Sequence, residues 1–268
     1  MDLHARNIEV TAGGRSILSG VTVRVHAGQL CGIIGPSGAG KSTLIRVLLG
    51  LTRPARGEVT LGGAPIDEAG AVGYVPQDDA LHGALTVGDA LDYAAQLRLY
   101  PMPALSRQAR VRQVVTQVGL QGREEVRIAR LSGGQRKRVS VAMELLSQPK
   151  LMILDEPTSG LDPGLEATMM SLFSAVARDG RIVLVSTHAM QSIDVCDQLM
   201  VLAAGRLMYF GPPAGALAKF GAADYNQIFT RLAGAPAPAV VSPVGPTPPA
   251  NAAALAELAR LKAERDRA

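Results

Sequence analysis

Along the first third of the chain, polar and apolar positions alternate in short runs. NIEV and GVTVRV read as strands on either side of a Gly13-Gly14 turn signal, and GEVTLGG comes next at 57–63. At 30–34 the alternation stops. LCGII is continuously apolar, the pattern of a strand covered on both faces. A glycine-rich turn leads into STLIRVLLGL, which has helical spacing and is closed by Gly50 and Pro54. From about 86 to 146 the period is helical: TVGDALDYAAQLRL opens on Thr86 as N-cap, and SRQARVRQVVTQVGL on Ser106. Strand signals return in LMILD (151–155), RIVLVST (181–187) and QLMVLAAGRLMYFG (198–211), with helical runs after the first two, PGLEATMMSLFSAVARD and AMQSIDVC. Strand–helix alternation at both ends with a helical stretch between predicts an α/β fold, a parallel-sheet core carrying a helical lobe at about 79–146. Residues 233–250 are Pro/Ala-rich and read as an extended linker. Residues 251–268 are charged and helix-prone, a tail expected to lead towards a membrane domain.

Composition narrows the function classes. The 268 residues are 47% hydrophobic, enough for a large core, and the net charge of +4 is too small and scattered to argue for nucleic acid. Two cysteines, Cys31 and Cys196, both in apolar surroundings, argue against a disulfide framework and make the cytoplasm the expected compartment. The opening residues lack a signal-peptide pattern, and no run approaches the ~18 apolar residues that a membrane span needs.

Chemistry enters at 35–42. GPSGAGKS fits G-x-x-x-x-G-K-[ST] between a predicted strand and a predicted helix, a pattern that chance would give in roughly one chain in a hundred of this length. Its glycines allow backbone N–H groups to turn around phosphates, and the adjoining helix presents its positive end. The expected phosphate-binding set is Gly35, Pro36, Ser37, Gly38, Ala39, Gly40, Lys41, Ser42 and Thr43, with Lys41 on the β- and γ-phosphates and Ser42 on Mg²⁺. LMILDE then delivers Asp155 and Glu156 at the C-terminal edge of a buried strand, where ligands of open α/β sheets bind. Asp155 is placed to hold Mg²⁺ through water and Glu156 to act as general base on the attacking water. His188 ends the next strand at the same edge and is expected to contact the γ-phosphate. Gln77, in YVPQDD, is expected to report on Mg²⁺ and the γ-phosphate.

LSGGQ at 131–135 resembles the signature of the ABC ATPases, with Ser132 as helix cap and Gly133 and Gly134 permitting close backbone approach. The motifs stand in that family's order across 35–188, and the resemblance covers roughly 1–232. It implies a P-loop NTPase (RecA-like) core with a parallel sheet, an N-terminal antiparallel β subdomain and a helical lobe, together forming an ATP-binding domain over 1–232. It also implies that Leu131, Ser132, Gly133, Gly134 and Gln135 bind the ATP held by a second copy of the domain, in a head-to-tail dimer. Ser159, Gly160, Leu161 and Asp162 are similar to the D-loop linking the two sites. YVPQDDALHGALTVGDALDYAAQLRL, LSGGQRKRVSVAMELLSQPKLMILDEPTSGLDP and GRLMYFGPP look most like the G subfamily of half-transporters, and the Ala/Arg-rich composition suggests a bacterial relative. The resemblance implies an exporter ATPase on the cytoplasmic face of the cell membrane, using ATP and Mg²⁺. A transmembrane domain is expected in the same full-length polypeptide, and no nucleic-acid partner. A separate ATPase subunit of an importer is the alternative. In one respect the chain departs from many ABC ATPases: Val10, Thr11 or Ala12 stands where an aromatic residue often stacks on adenine.

Overall fold

The computed structural model describes residues 1–70 and 72–233. The tail expected at 251–268, and the linker apart from Ala233, lie outside the described residues. The described chain divides into two compact units, Met1–Gln77 together with the residues from 149 on, and Asp78–Gln148.

In the first unit, β1 (Asp2–Ala12) and β2 (Arg15–His26) pair antiparallel across the Gly13-Gly14 turn, and β4 (Arg56–Leu61) and β5 (Ala64–Pro65) extend the sheet in the order β2-β1-β4-β5. Along β2 the inward residues Leu18, Val21, Val23 and Val25 are buried and most of their neighbours are exposed, the half-covered pattern expected of an antiparallel strand. The second sheet runs β10-β9-β3-β8-β7-β6. Its inner strands β3 (Leu30–Ile34) and β8 (Ile182–Ser186) are buried at every position, and β7 (Leu151–Asp155) at all but its last. β3 runs parallel to β8 and to β9 (Gln198–Ala203), and β7 parallel to β6 (Val72–Val75) and β8. The run read from sequence as one strand at 198–211 is a hairpin. Ala204 and Gly205 both take positive φ, at 48° and 74°, and turn β9 back into antiparallel β10 (Arg206–Gly211). One apolar core joins the two sheets and α1 (Lys41–Leu48), drawing on Leu3, Ile8, Leu18, Ile33, Leu44 and Leu184. A second lies under α6 (Pro213–Phe220) and α7 (Tyr225–Ala233), around Ile34, Val201, Ala216 and Ile228. α5 (Pro163–Arg178) connects β7 to β8. The run AMQSIDVC forms only a 3₁₀ turn, Met190–Val195, rather than a full helix.

The second unit is helical: α2 (Val87–Arg98), α3 (Ala104–Gln117) and α4 (Gly133–Leu145). Thr86 caps α2, its Oγ1 accepting from Asp89 N at 3.1 Å. Ser106 does not cap α3. The helix starts at Ala104, and Arg107 N already donates to Pro103 O at 3.0 Å, so Ser106 lies inside the first turn. Arg98 donates to Glu144 Oε1 at 2.5 Å, tying α2 to α4. Lys137 Nζ on α4 lies 2.9 Å from Asp79 Oδ1, which also accepts from Ser140 Oγ at 3.0 Å.

Candidate functional site

The turn after β3 is shaped by backbone approach. A Cβ on Gly35 would lie 2.2 Å from Leu202 O, and one on Gly40 would lie 2.7 Å from Leu18 Cδ2, with φ at +99°, so neither position admits a side chain. Gly40 is the N-cap of α1. It offers no capping side chain, and the first turn carries no acid. The leading N–H groups of α1 are therefore left to whatever anion approaches, with the helix dipole aligned towards it. Ala39 N closes the turn on Pro36 O at 3.1 Å.

Lys41, only 8% exposed, folds back over this turn, donating to Gly35 O at 2.7 Å and Pro36 O at 3.2 Å. Burial pushes its ammonium pKa below the ordinary lysine value, and the charges of Glu156 and Asp155 oppose that shift. The three groups thus share one electrostatic neighbourhood. At the end of β7, burial pushes the Asp155 carboxyl above the usual range, and a hydrogen bond from Ser186 works against it. Ser186 Oγ donates to Asp155 Oδ1 at 2.5 Å and accepts from Glu156 N at 2.9 Å. It is fully buried and faces Asp155 in the parallel β7–β8 register.

Glu156 sits in left-handed backbone, φ 45°. Its carboxylate is held on both oxygens: Oε1 lies 2.8 Å from His188 Nε2, and Oε2 accepts from Gln77 Nε2 at 3.0 Å. The structure therefore brings together Gln77, Glu156 and His188, which lie far apart in sequence, with Lys41 and Asp155 in the same electrostatic neighbourhood. Sequence reading missed Ser186, the last residue of β8, although it stands two residues before His188, which lies just past the strand.

Of the predicted D-loop, Ser159 N donates to Glu156 O at 3.1 Å, and Asp162 has a structural task of its own: it caps α5, its Oδ1 accepting from Gly164 N and Leu165 N, both at 3.0 Å. Leu131–Gln135 belongs to the helical unit. There Ser132 and Gln135 form a capping box at the start of α4, with Gln135 N donating to Ser132 Oγ at 3.3 Å and Ser132 N to Gln135 Oε1 at 3.0 Å. Near the end of β1, Val10 is buried in the core and presents nothing to a base, whereas Thr11 and Ala12 are exposed.

A glycine turn ahead of an uncapped helix, an aspartate–glutamate pair at the end of β7 in the same sheet and a capped LSGGQ helix define a P-loop nucleotide-binding protein of the ATP-hydrolysing kind. The chain belongs to the ABC transporter family, whose profile matches residues 18–159, and it is an ATP-binding ATPase domain of that family. It is 43% identical over 247 residues to the ABC transporter ATP-binding/permease protein Rv1747 of Mycobacterium tuberculosis, a match covering 88% of this chain and 29% of that protein. It is 36% identical over 255 residues to ABC transporter G family member 1 of Petunia hybrida, covering 90% of this chain and 38% of the petunia protein. The likeness to the G subfamily read from the motifs is thus borne out. The chain spans well under half the length of either relative. Among solved structures, cbiO1 from Clostridium perfringens, part of the ABC transporter complex cbiONQ, superposes with a TM-score of 0.73. That match has 28% identity and covers 81% of this chain and 90% of the other. Among the described residues no helix is long and apolar enough to cross a membrane.

Proposed function

We propose that this domain hydrolyses MgATP in a head-to-tail dimer and that closure and reopening of the dimer drive export through a transmembrane domain in the same full-length polypeptide. It would work at the cytoplasmic face of the membrane. The observation that carries the reading is the uncapped α1 N-terminus behind Gly35 and Gly40, with buried Lys41 in the same electrostatic neighbourhood as Asp155 and Glu156. Fusion to a membrane domain is supported by the ATP-binding/permease relative, and export is the direction that the motifs' resemblance to the G subfamily implies.

Each residue then has a task. Backbone N–H groups of 35–43 surround the triphosphate, and Lys41 exchanges the Gly35 and Pro36 carbonyls for phosphate oxygens. Ser42, Gln77 and Asp155 offer a hydroxyl, an amide oxygen and a carboxylate, the hard oxygen donors that Mg²⁺ accepts, with Asp155 acting through water. When bound, the ion neutralises developing phosphate charge. Glu156, held between Gln77 and His188, takes the proton of the attacking water, which those two partners place against the γ-phosphate. Leu131, Ser132, Gly133, Gly134 and Gln135 close over the partner's nucleotide. Ser159, Gly160, Leu161 and Asp162 couple the two sites.

The test is complementation. Alone, Glu156→Gln and Ser132→Arg proteins should each be nearly inactive. Mixed, they form some dimers with one intact composite site, so activity should reappear, and wild-type activity should rise more steeply than linearly with concentration. Activity strictly proportional to concentration, with no recovery on mixing, would refute the sandwich. A second reading, a separate ATPase subunit of an importer, draws support from cbiO1, of which the alignment covers 90%. Under that reading the protein should be recovered from membranes only together with another polypeptide.

A further inference from the structure

His188 is approached from two sides. Glu156 Oε1 lies 2.8 Å from its Nε2, and the ring of Phe229 meets the imidazole edge-on, with centroids 5.7 Å apart and planes at 82°. Phe229 is half-buried on α7, next to Ile228, which is fully buried in the second core with Ile34 and Ile193. α7 is anchored to the segment just after His188. It packs on the 3₁₀ turn Met190–Val195, and Tyr225 Oη donates to Asp194 Oδ1 at 2.5 Å.

The His188 side chain is 39% exposed and sits just past the end of β8, where the backbone alone leaves the ring free to turn. Rotation of an imidazole about its last torsion meets only broad, shallow minima, so orientation must come from contacts. An edge-to-face neighbour resists that rotation, and here Nε2 keeps its contact with Glu156. We propose that Phe229 is a positioning residue for hydrolysis: its ring holds the His188 imidazole in the orientation that directs Nε2 to Glu156. The inference rests on the reading of Glu156 and His188 as the hydrolytic pair. It assigns to α7 a share in the active site that none of the ATPase motifs contains. Loss of the ring leaves the ATP cradle intact, so the penalty falls on turnover and not on binding.

The chain has four histidines, His4, His26, His82 and His188, so the ring signals of His188 can be assigned in proton–carbon NMR spectra with a single His188→Gln comparison. Phe229→Leu keeps an apolar side chain of similar bulk on α7 and serves as the main variant, with Phe229→Tyr as the rescue. In Phe229→Leu we expect the His188 ring signals to shift while those of His4, His26 and His82 stay in place. Turnover should fall by roughly three- to tenfold, the scale of one edge-to-face contact, with the KM for ATP within about twofold. Phe229→Tyr should restore both the signals and the rate. Unmoved His188 signals in Phe229→Leu would overturn the contact whatever the ATPase assay shows. Shifted signals with unchanged turnover would overturn the positioning role. A wild-type domain without any ATPase activity would overturn that role together with the hydrolytic reading beneath it, while the NMR comparison would still report on the ring contact by itself.

Discussion

Glu156 holds its acid on a backbone that side chains resist, with φ at 45° fixed by its N–H donating to Ser186 Oγ and Ser186 O. A non-glycine residue in this region costs ~1–2 kcal/mol, and such strain concentrates at working sites. Two substitutions separate the roles of side chain and backbone. Glu156→Gln should keep ATP binding and lose ~10²–10⁴ in turnover, as removal of a general base does. Glu156→Gly should lose turnover as fully. Its melting temperature should stand no lower than that of Glu156→Ala, the reference that loses the same contacts to Gln77 and His188, because relief of the left-handed strain offsets glycine's added freedom in the unfolded chain. A scanning-calorimetry trace showing Glu156→Gly clearly less stable than Glu156→Ala would mean that the backbone there is unstrained. The acids were legible because an apolar run ending in Asp-Glu is a pattern along the chain. Ser186 was not, because a serine ending an apolar strand has no local mark. Its meaning comes from standing opposite Asp155 across a parallel pair. Lys41 was legible as the lysine that closes the glycine-rich turn, but not its present hold on the Gly35 and Pro36 carbonyls, which depends on the turn's three-dimensional path.

At the scale of elements, helix starts were readable where a side chain does the capping, as at Thr86 and Ser132. They were misread at Ser106, because the extended Pro103 begins the turn before any cap is needed. Helix ends are less local still. α4 closes with no basic residue in its last turn, and the carbonyls of Leu145 and Leu146 accept instead from Arg110, a residue of α3. That guanidinium is buried, and a third bond runs from it to Gln113 Oε1 at 2.8 Å. Hydrogen bonds from charged donors contribute ~1.5–3 kcal/mol, and Arg110→Ala also strands two buried carbonyls. Urea unfolding should therefore show a loss of ~2–4 kcal/mol, with Arg110→Lys recovering only part. An Arg110→Ala protein within ~0.5 kcal/mol of wild type would mean that water takes over those carbonyls.

For the molecule as a whole, the alternation of strands and helices announced an α/β fold, and the change of period after residue 78 announced a helical stretch of its own. Strand order was another matter. Nothing in LCGII says that it lies between 182–186 and 198–203, because parallel neighbours are chosen by crossover handedness and by which faces remain to be covered, not by any signal along the strand. The hairpin at 204–205 was hidden for a similar reason: a two-residue turn inside a long apolar run differs from a continuous strand only in backbone angles.

The position of β3 also sets a timetable for synthesis. Its residues leave the ribosome early, yet both of its neighbours, β8 and β9, are made long afterwards, with the whole of 78–148 in between. The helical unit is one unbroken stretch of sequence and can complete its own contacts while the strand still waits, since local pairings form ahead of distant ones. Until then LCGII and STLIRVLL are unprotected apolar segments of a kind that associates with other chains. Nested truncations would reveal the timetable: chains stopped at residue 180 should accumulate as aggregates or bound to chaperones. Chains extended past β9 and α7, to residue 233, should be released as soluble protein. Soluble, protease-resistant material from the 180-residue chain would show that β3 finds cover sooner than its partners allow.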